Sequence, residues 1–234
     1  MTLYRLFPLL ITSFLMVSLN AYAGSISGGV DDAGIIARYT RDGASGFHII
    51  DLDSKISGDG RITSWSIWAE SYMTWIPDIV NTEQRQVGLI IFRDTGSGYL
   101  VVGESPLETI PSGALAWDKK YTFTNLGTGI QVKKGDYLGI YYPFQGSDIG
   151  GPNNNPGGVI ALDSVALDAG GHNVRFRYPW GSQQPPELVV GALIPYDWFN
   201  AGPEIEGGLG RIFSLNVSGI ANVTIAPNTL LLLE

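Results

Sequence analysis

The chain has no cysteine. That excludes a disulfide framework, a thiol nucleophile and every cysteine-based zinc site. Histidine is nearly as scarce: His48 and His172 are the only two, and no H-x-x-x-H or H-x-H spacing relates them. A Ser-His-Asp arrangement has its residue types, but the chain carries neither a G-x-S-x-G elbow nor the α/β alternation that such an elbow needs. His48, between Phe47 and Ile49 in an apolar run, reads as a structural side chain, and His172, after Gly170-Gly171, as a turn residue. Charge is thin at 15%, with an acidic excess that leaves a net charge of -8. Such a surface repels nucleic acid and anionic membranes. Helical periodicity of useful length, heptads and fixed-period repeats are missing too. Gly207–Arg211 is Gly-rich but lacks the Lys-Ser/Thr pair and the following helix of a phosphate cradle.

What is present begins with a leader. Arg5 and the terminal amine precede an apolar stretch, Leu6–Leu19, and Ala21-Tyr22-Ala23 has the small-residue form of a cleavage site. Residues 1–23 therefore read as a cleaved signal peptide, with an uncleaved anchor as the alternative. No later run could cross a bilayer; Leu230–Leu233 is far too short, and there is no lipid-anchor tail. The mature chain is expected to be soluble, secreted or periplasmic, and without a membrane span. Hydrophobic residues make up 44% of the sequence. The roughly 210 mature residues can build a core without disulfides. Residues 24–33 are Gly/Ser-rich and read as a flexible N-terminal segment, and 34–234 as a single domain.

That domain reads as short β-runs between turn signals. Arg61–Ser71 alternates, with Thr63, Trp65, Ile67 and Ala69 on one face and Ser64, Ser66 and Trp68 on the other. Val87, Leu89 and Ile91 share one face of the next run while Ile90 and Phe92 share the opposite one, so both faces are apolar, as in a strand inside a sandwich. Thr95-Gly96-Ser97-Gly98 predicts a hairpin into Tyr99–Val102. Ile130–Val132 leads through the turn Lys133–Asp136 into Tyr137–Tyr142, where Leu138, Ile140 and Tyr142 alternate with Tyr137, Gly139 and Tyr141. Asp148–Gly158 and most of Pro179–Gly210 read as surface loops. About a dozen such runs predict an all-β, two-sheet antiparallel sandwich of jelly-roll type.

The stretch IQVKKGDYLGIYYP, residues 130–143, resembles the V-x-x-G-D-x-L-G hairpin of secreted jelly-roll modules, carbohydrate-binding modules among them. The resemblance covers about a dozen residues. It implies the fold, and it does not by itself imply a function.

Four candidate chemistries follow from the residues. The loop aromatics Phe144, Tyr178, Trp180, Tyr196, Trp198 and Phe199 lie close in sequence to Asn153, Asn154, Asn155, Asp148, Gln183, Gln184 and Asp197. Flat rings cover the CH face of a sugar, while planar amides and carboxylates pair with its hydroxyls. The plainer reading folds these rings back over the core. Trp65 is expected in the core, and Trp68 falls on the polar face. Glu70 and Glu104 end β-runs, and with Glu204 and Glu206 they are candidates for a carboxylate pair acting on a glycosidic bond. Asp51, Asp53 and Asp59 are hard oxygen ligands in one tight segment and would suit Ca2+, although Lys55 and Ile56 break the EF-hand pattern; the plainer reading is a solvated hairpin end. Asn216-Val217-Ser218 and Asn222-Val223-Thr224 fit the N-glycosylation pattern. The function expected from these features is a secreted, non-catalytic module that binds glycan or another extracellular ligand through aromatic loops. The alternatives are a glycan-active hydrolase or lyase on the same sandwich, and a cell-surface structural or assembly protein.

Overall fold

A computed structural model describes residues 24–31, 47–69, 85–111, 119–143, 162–163, 173–177, 189–196 and 212–222. They form fourteen strands: β1 (Ser25–Gly29), β2 (Phe47–Lys55), β3 (Gly60–Ala69), β4 (Arg85–Asp94), β5 (Gly98–Glu104), β6 (Glu108–Ile110), β7 (Lys119–Phe123), β8 (Ile130–Val132), β9 (Tyr137–Tyr142), β10 (Leu162–Asp163), β11 (Asn173–Arg177), β12 (Leu193–Pro195), β13 (Ile212–Phe213) and β14 (Leu215–Ala221). None of the described residues is helical, and no helix among them is long and apolar enough to cross a membrane.

Two antiparallel sheets face each other. One has five strands in the order β1-β14-β3-β7, with β8 also on β3. The other has seven in the order β11-β2-β9-β4-β5-β12, with β6 on β4. Followed along the chain, β1, β3, β7, β8 and β14 belong to the first sheet, and β2, β4, β5 and β9 to the second. The chain thus winds back and forth between the sheets, which is the jelly-roll topology. β10 and β13 pair separately as a small ribbon.

The core lies between the sheets. Trp65, Ile67 and Ala69 of β3 meet Val87, Leu89 and Ile91 of β4 and Leu138, Ile140 and Tyr142 of β9. Each fully buried aliphatic side chain there contributes about 1.5–3 kcal/mol relative to exposure. The alternation expected for β3 holds from Trp65 onward and shifts phase before it. Ser64 pairs with Ser218 and Ile62 with Gly219, so Thr63 is the extra residue of a bulge. Ile62 therefore takes the inward place that simple alternation assigns to Thr63.

Three further expectations are corrected. The N-terminal segment read as flexible supplies β1, whose Ile26 fills the core and whose backbone pairs with β14. Lys133–Asp136 does not close a hairpin: β8 pairs with β3 in one sheet and β9 with β2 and β4 in the other, so the turn is an arch between sheets. Its backbone docks on Ile56 (Ile56 N to Asp136 O, 2.8 Å; Gly135 N to Ile56 O, 2.9 Å), and the Asp136 carboxylate accepts the Lys133 N–H at 2.7 Å. Gly135 sits at φ 88°, in the left-handed region glycine tolerates. Within the segment read mostly as loop, Leu193–Pro195 forms an edge strand on β5.

Candidate ligand-binding surface

β4 is apolar on both faces because it has a cluster on each side. Ile90 and Phe92 point away from the inter-sheet core and pack with Ile50, Tyr99, Val101 and Ile194 on the outer face of the seven-stranded sheet. β9 contributes Tyr137 and Tyr141 to the same face, with Gly139 between them. A Cβ at Gly139 would lie 2.4 Å from the Phe92 ring, so glycine is what lets that ring lie over the strand.

Three tyrosines gather at one end of this face. The Tyr99 ring meets Tyr137 edge-on at 6.0 Å and Tyr196 at 5.3 Å between centroids. Such tilted contacts suit the aromatic quadrupole. Tyr99 is buried, whereas Tyr137 and Tyr196 are half-buried. The Lys55 ammonium stands 5.1 Å over the Tyr137 ring. Asp94, at the start of the β4–β5 turn, accepts the Tyr196 hydroxyl and the Gly96 N–H on Oδ1. The Tyr196 hydrogen bond holds the Asp94 carboxyl below the usual carboxylate range, and the same bond pushes the Tyr196 phenol up to about 12. The pairing of β12 with β5 sets Ile194 opposite Tyr99, and the Tyr196 N–H bonds to Ser97 O at 3.2 Å, which fixes Tyr196 beside the turn.

At the other end of the face, His48 lies stacked on Tyr141, with centroids 4.4 Å apart and planes 12° apart. Both line a narrow cleft with Gly88, Leu89, Ile90, Glu104, Ser105 and Leu107. Its volume of about 10 Å³ is at the lower bound for a single water molecule. Burial holds the imidazole neutral by lowering its pKa to about 3. Glu104 is exposed at the end of β5 and is the one carboxylate in the cleft's described lining.

Of the residues expected to bind ligand, Tyr196 joins this surface, and Tyr178, Trp180, Asp197, Trp198, Asn153 and Asn154 lie outside the described residues, as do Glu70, Glu204, Glu206, His172 and the leader. The three aspartates considered for Ca2+ do different work. Asp51 is buried and caps a bulge of its own strand, accepting Ser54 Oγ at 2.8 Å and the Asp53 N–H at 3.1 Å. Asp53 is exposed, and Asp59 Oδ1 accepts the Lys134 N–H at 2.8 Å. Among the described residues no three acidic, His or Cys side chains converge in a way that could hold a metal. Trp65 is core, 1% exposed. Trp68 is half-buried on the outer face of the five-stranded sheet, its Nε1 donating to Asp31 at 3.1 Å. Asn216 lies within β14 and donates to Gly28 O, while Asn222 is exposed just past the strand.

Sequence reasoning missed Tyr99, Tyr137, Lys55 and Asp94. Part of the signal was present: the alternation that places Tyr137 and Tyr141 on one face, and the apolar outer face of β4, both mark a sheet surface that is not plain solvent-facing.

No family model, curated protein or solved structure matches the chain.

Proposed function

We propose that this is an exported, non-catalytic binding module that recognises glycan, or an extracellular ligand of similar chemistry, through the tyrosines at the end of its seven-stranded sheet. The supporting observation is the half-buried pair Tyr137 and Tyr196, held by Tyr99 and flanked by the Lys55 ammonium and the Asp94 carboxylate. Rings oriented by their neighbours lose little freedom when a sugar CH face covers them. The two flanking charges suit its hydroxyls, and no bond is made or broken. Trp180 and Trp198, which the sequence places among loop aromatics and which lie outside the described residues, belong to the same reading.

A glycan array on the mature protein tests it, run beside a Tyr137→Ala/Tyr196→Ala variant and a Trp180→Ala/Trp198→Ala variant. The expected result is specific binding that falls at least about tenfold in the tyrosine variant, with thermal unfolding still cooperative. Absence of glycan binding, or equal binding by a folded tyrosine variant, refutes the proposal.

A further inference from the structure

Where β5 of the seven-stranded sheet passes β8 of the five-stranded one, a groove of about 470 Å³ opens. Clefts that hold small ligands run from about 300 to 1,000 Å³. Its floor is aliphatic: Val101 and Val102 from β5 and Val132 from β8. A bulge brings Val102 here. Ile91 pairs with Gly103 and Phe92 with Val101, so Val102 is the extra residue, and it packs against the inter-sheet core. Val190, 54% exposed, stands in the wall. Among the described lining residues none is aromatic, so a sugar would find no ring to stack on, in contrast to the tyrosine surface.

The rim is rich in donors. Arg93 is held by a two-pronged contact: Nε and Nη2 donate to the two carboxylate oxygens of Asp136, each at 2.7 Å, and Asp136 is 2% exposed. That fork leaves the N–H groups of Nη1 outside it, on a side chain that is 30% exposed. The Lys133 backbone N–H donates to the same carboxylate, which fixes the base of an exposed lysine. Asp59, the one carboxylate in the described lining, accepts the Lys134 N–H and also acts on Arg93 through its charge. On a chain of net charge -8, this is a spot where the donors of Arg93 and Lys133, their charges balanced by Asp136 and Asp59, meet an aliphatic floor.

We infer that the groove is a binding site for an aliphatic carboxylate. The hydrocarbon covers the valine floor, and the carboxylate takes Arg93 Nη1 and the Lys133 ammonium. A preorganised guanidinium suits a carboxylate better than it suits a neutral amide. The acid could be a free fatty acid or the C-terminus of a peptide ending in an aliphatic residue.

The test uses the whole mature protein and three probes: octanoate, an N-acetylated Ala-Ala-Val tripeptide with a free carboxylate, and octanamide. Calorimetric titration and amide shift mapping should show saturable binding of at least one acid, with a dissociation constant at or below about 1 mM. Shifts should centre on Val102 and Val132, and the tighter acid names the source. Octanamide should bind at least about tenfold more weakly, and Lys133→Glu should weaken the acid by about the same factor. Val190→Asp, at an exposed position, should weaken it as well. The inference is overturned if neither acid saturates, if octanamide binds as tightly as octanoate, or if folded Lys133→Glu leaves the affinity unchanged. Tyr137→Ala/Tyr196→Ala should leave acid binding intact, so failure of the glycan proposal and failure of this one are separable.

Discussion

Acid should destabilise this protein more steeply than its carboxylates alone require, and His48 is the reason. The imidazole is 2% exposed, stacked on Tyr141, and its Nε2 has no hydrogen-bond partner among the described residues. Burial lowers its pKa to about 3. In the unfolded chain the same group titrates near its ordinary value of about 6.5. Between those two values the unfolded state binds a proton that the folded state refuses, so stability falls as pH falls. The slope is about 1.4 kcal/mol per pH unit, so lowering pH from 7 to 5 costs about 2 kcal/mol. For a chain of this size that is a drop in Tm of roughly 4–8 °C. Carboxylates add their own dependence, so the reading must be a difference. His48→Phe keeps a flat ring against Tyr141 and removes the titration. Urea unfolding of both proteins at pH 7 and pH 5 should show the variant gaining about 2 kcal/mol on the wild type over that interval. An unchanged gap between the two proteins, or an NMR titration that puts the folded His48 near 6.5, would refute the reasoning.

Asp51 runs the opposite way. Burial is the main cause of its raised pKa, and Ser54 and the Asp53 N–H only partly offset it. A raised carboxyl pKa contributes stability at low pH that is lost as pH rises through the folded value. Asp51→Asn, which keeps an oxygen acceptor and removes the charge, should therefore compare better with wild type at pH 7 than at pH 4 by urea midpoint. Arg93→Ala leaves the buried Asp136 carboxylate without its fork and should cost about 3 kcal/mol, the low end for a broken buried pair because Arg93 is partly exposed. Arg93→Lys should recover only part of that in the same denaturation assay, since a lysine offers no two-pronged geometry. Gly135→Ala meets open space and carries only the backbone penalty of a positive φ, about 1–2 kcal/mol. Gly139→Ala must push against the Phe92 ring at 2.4 Å and Ile49 O at 2.6 Å and should cost clearly more by thermal melt. Equal losses at the two glycines would contradict the packing described for the outer face.

Much of the architecture is local and could be read residue by residue. Period-two alternation placed Trp65, Ile67 and Ala69 on the core side of their strand. The double apolar pattern of Val87–Phe92 predicted a strand covered on both faces, as β4 is. Thr95–Gly98 predicted the hairpin that forms there, with Thr95 N bonded to Gly98 O. These features depend on neighbours in the chain and on the fixed direction of successive side chains. The Thr63 bulge was not legible, because the extra residue is defined only against β14, some 150 positions away. The Lys133–Asp136 turn shows the same limit. Its composition marks a reversal, but whether a reversal closes a hairpin or crosses between sheets depends on which strands lie to either side.

The amino-acid order alone therefore determined the class of fold, the core-facing side of β3 from Trp65 onward and of β4, and the absence of thiol chemistry. Tertiary structure decided which sheet each strand joins and which distant side chains meet. It set Tyr196 against Tyr99 and Asp94, and Arg93 against Asp136 across the rim of a groove. Strand pairing is non-local: the register that brings two surfaces together is stored in the complementarity of segments far apart in the chain, and no single segment contains it.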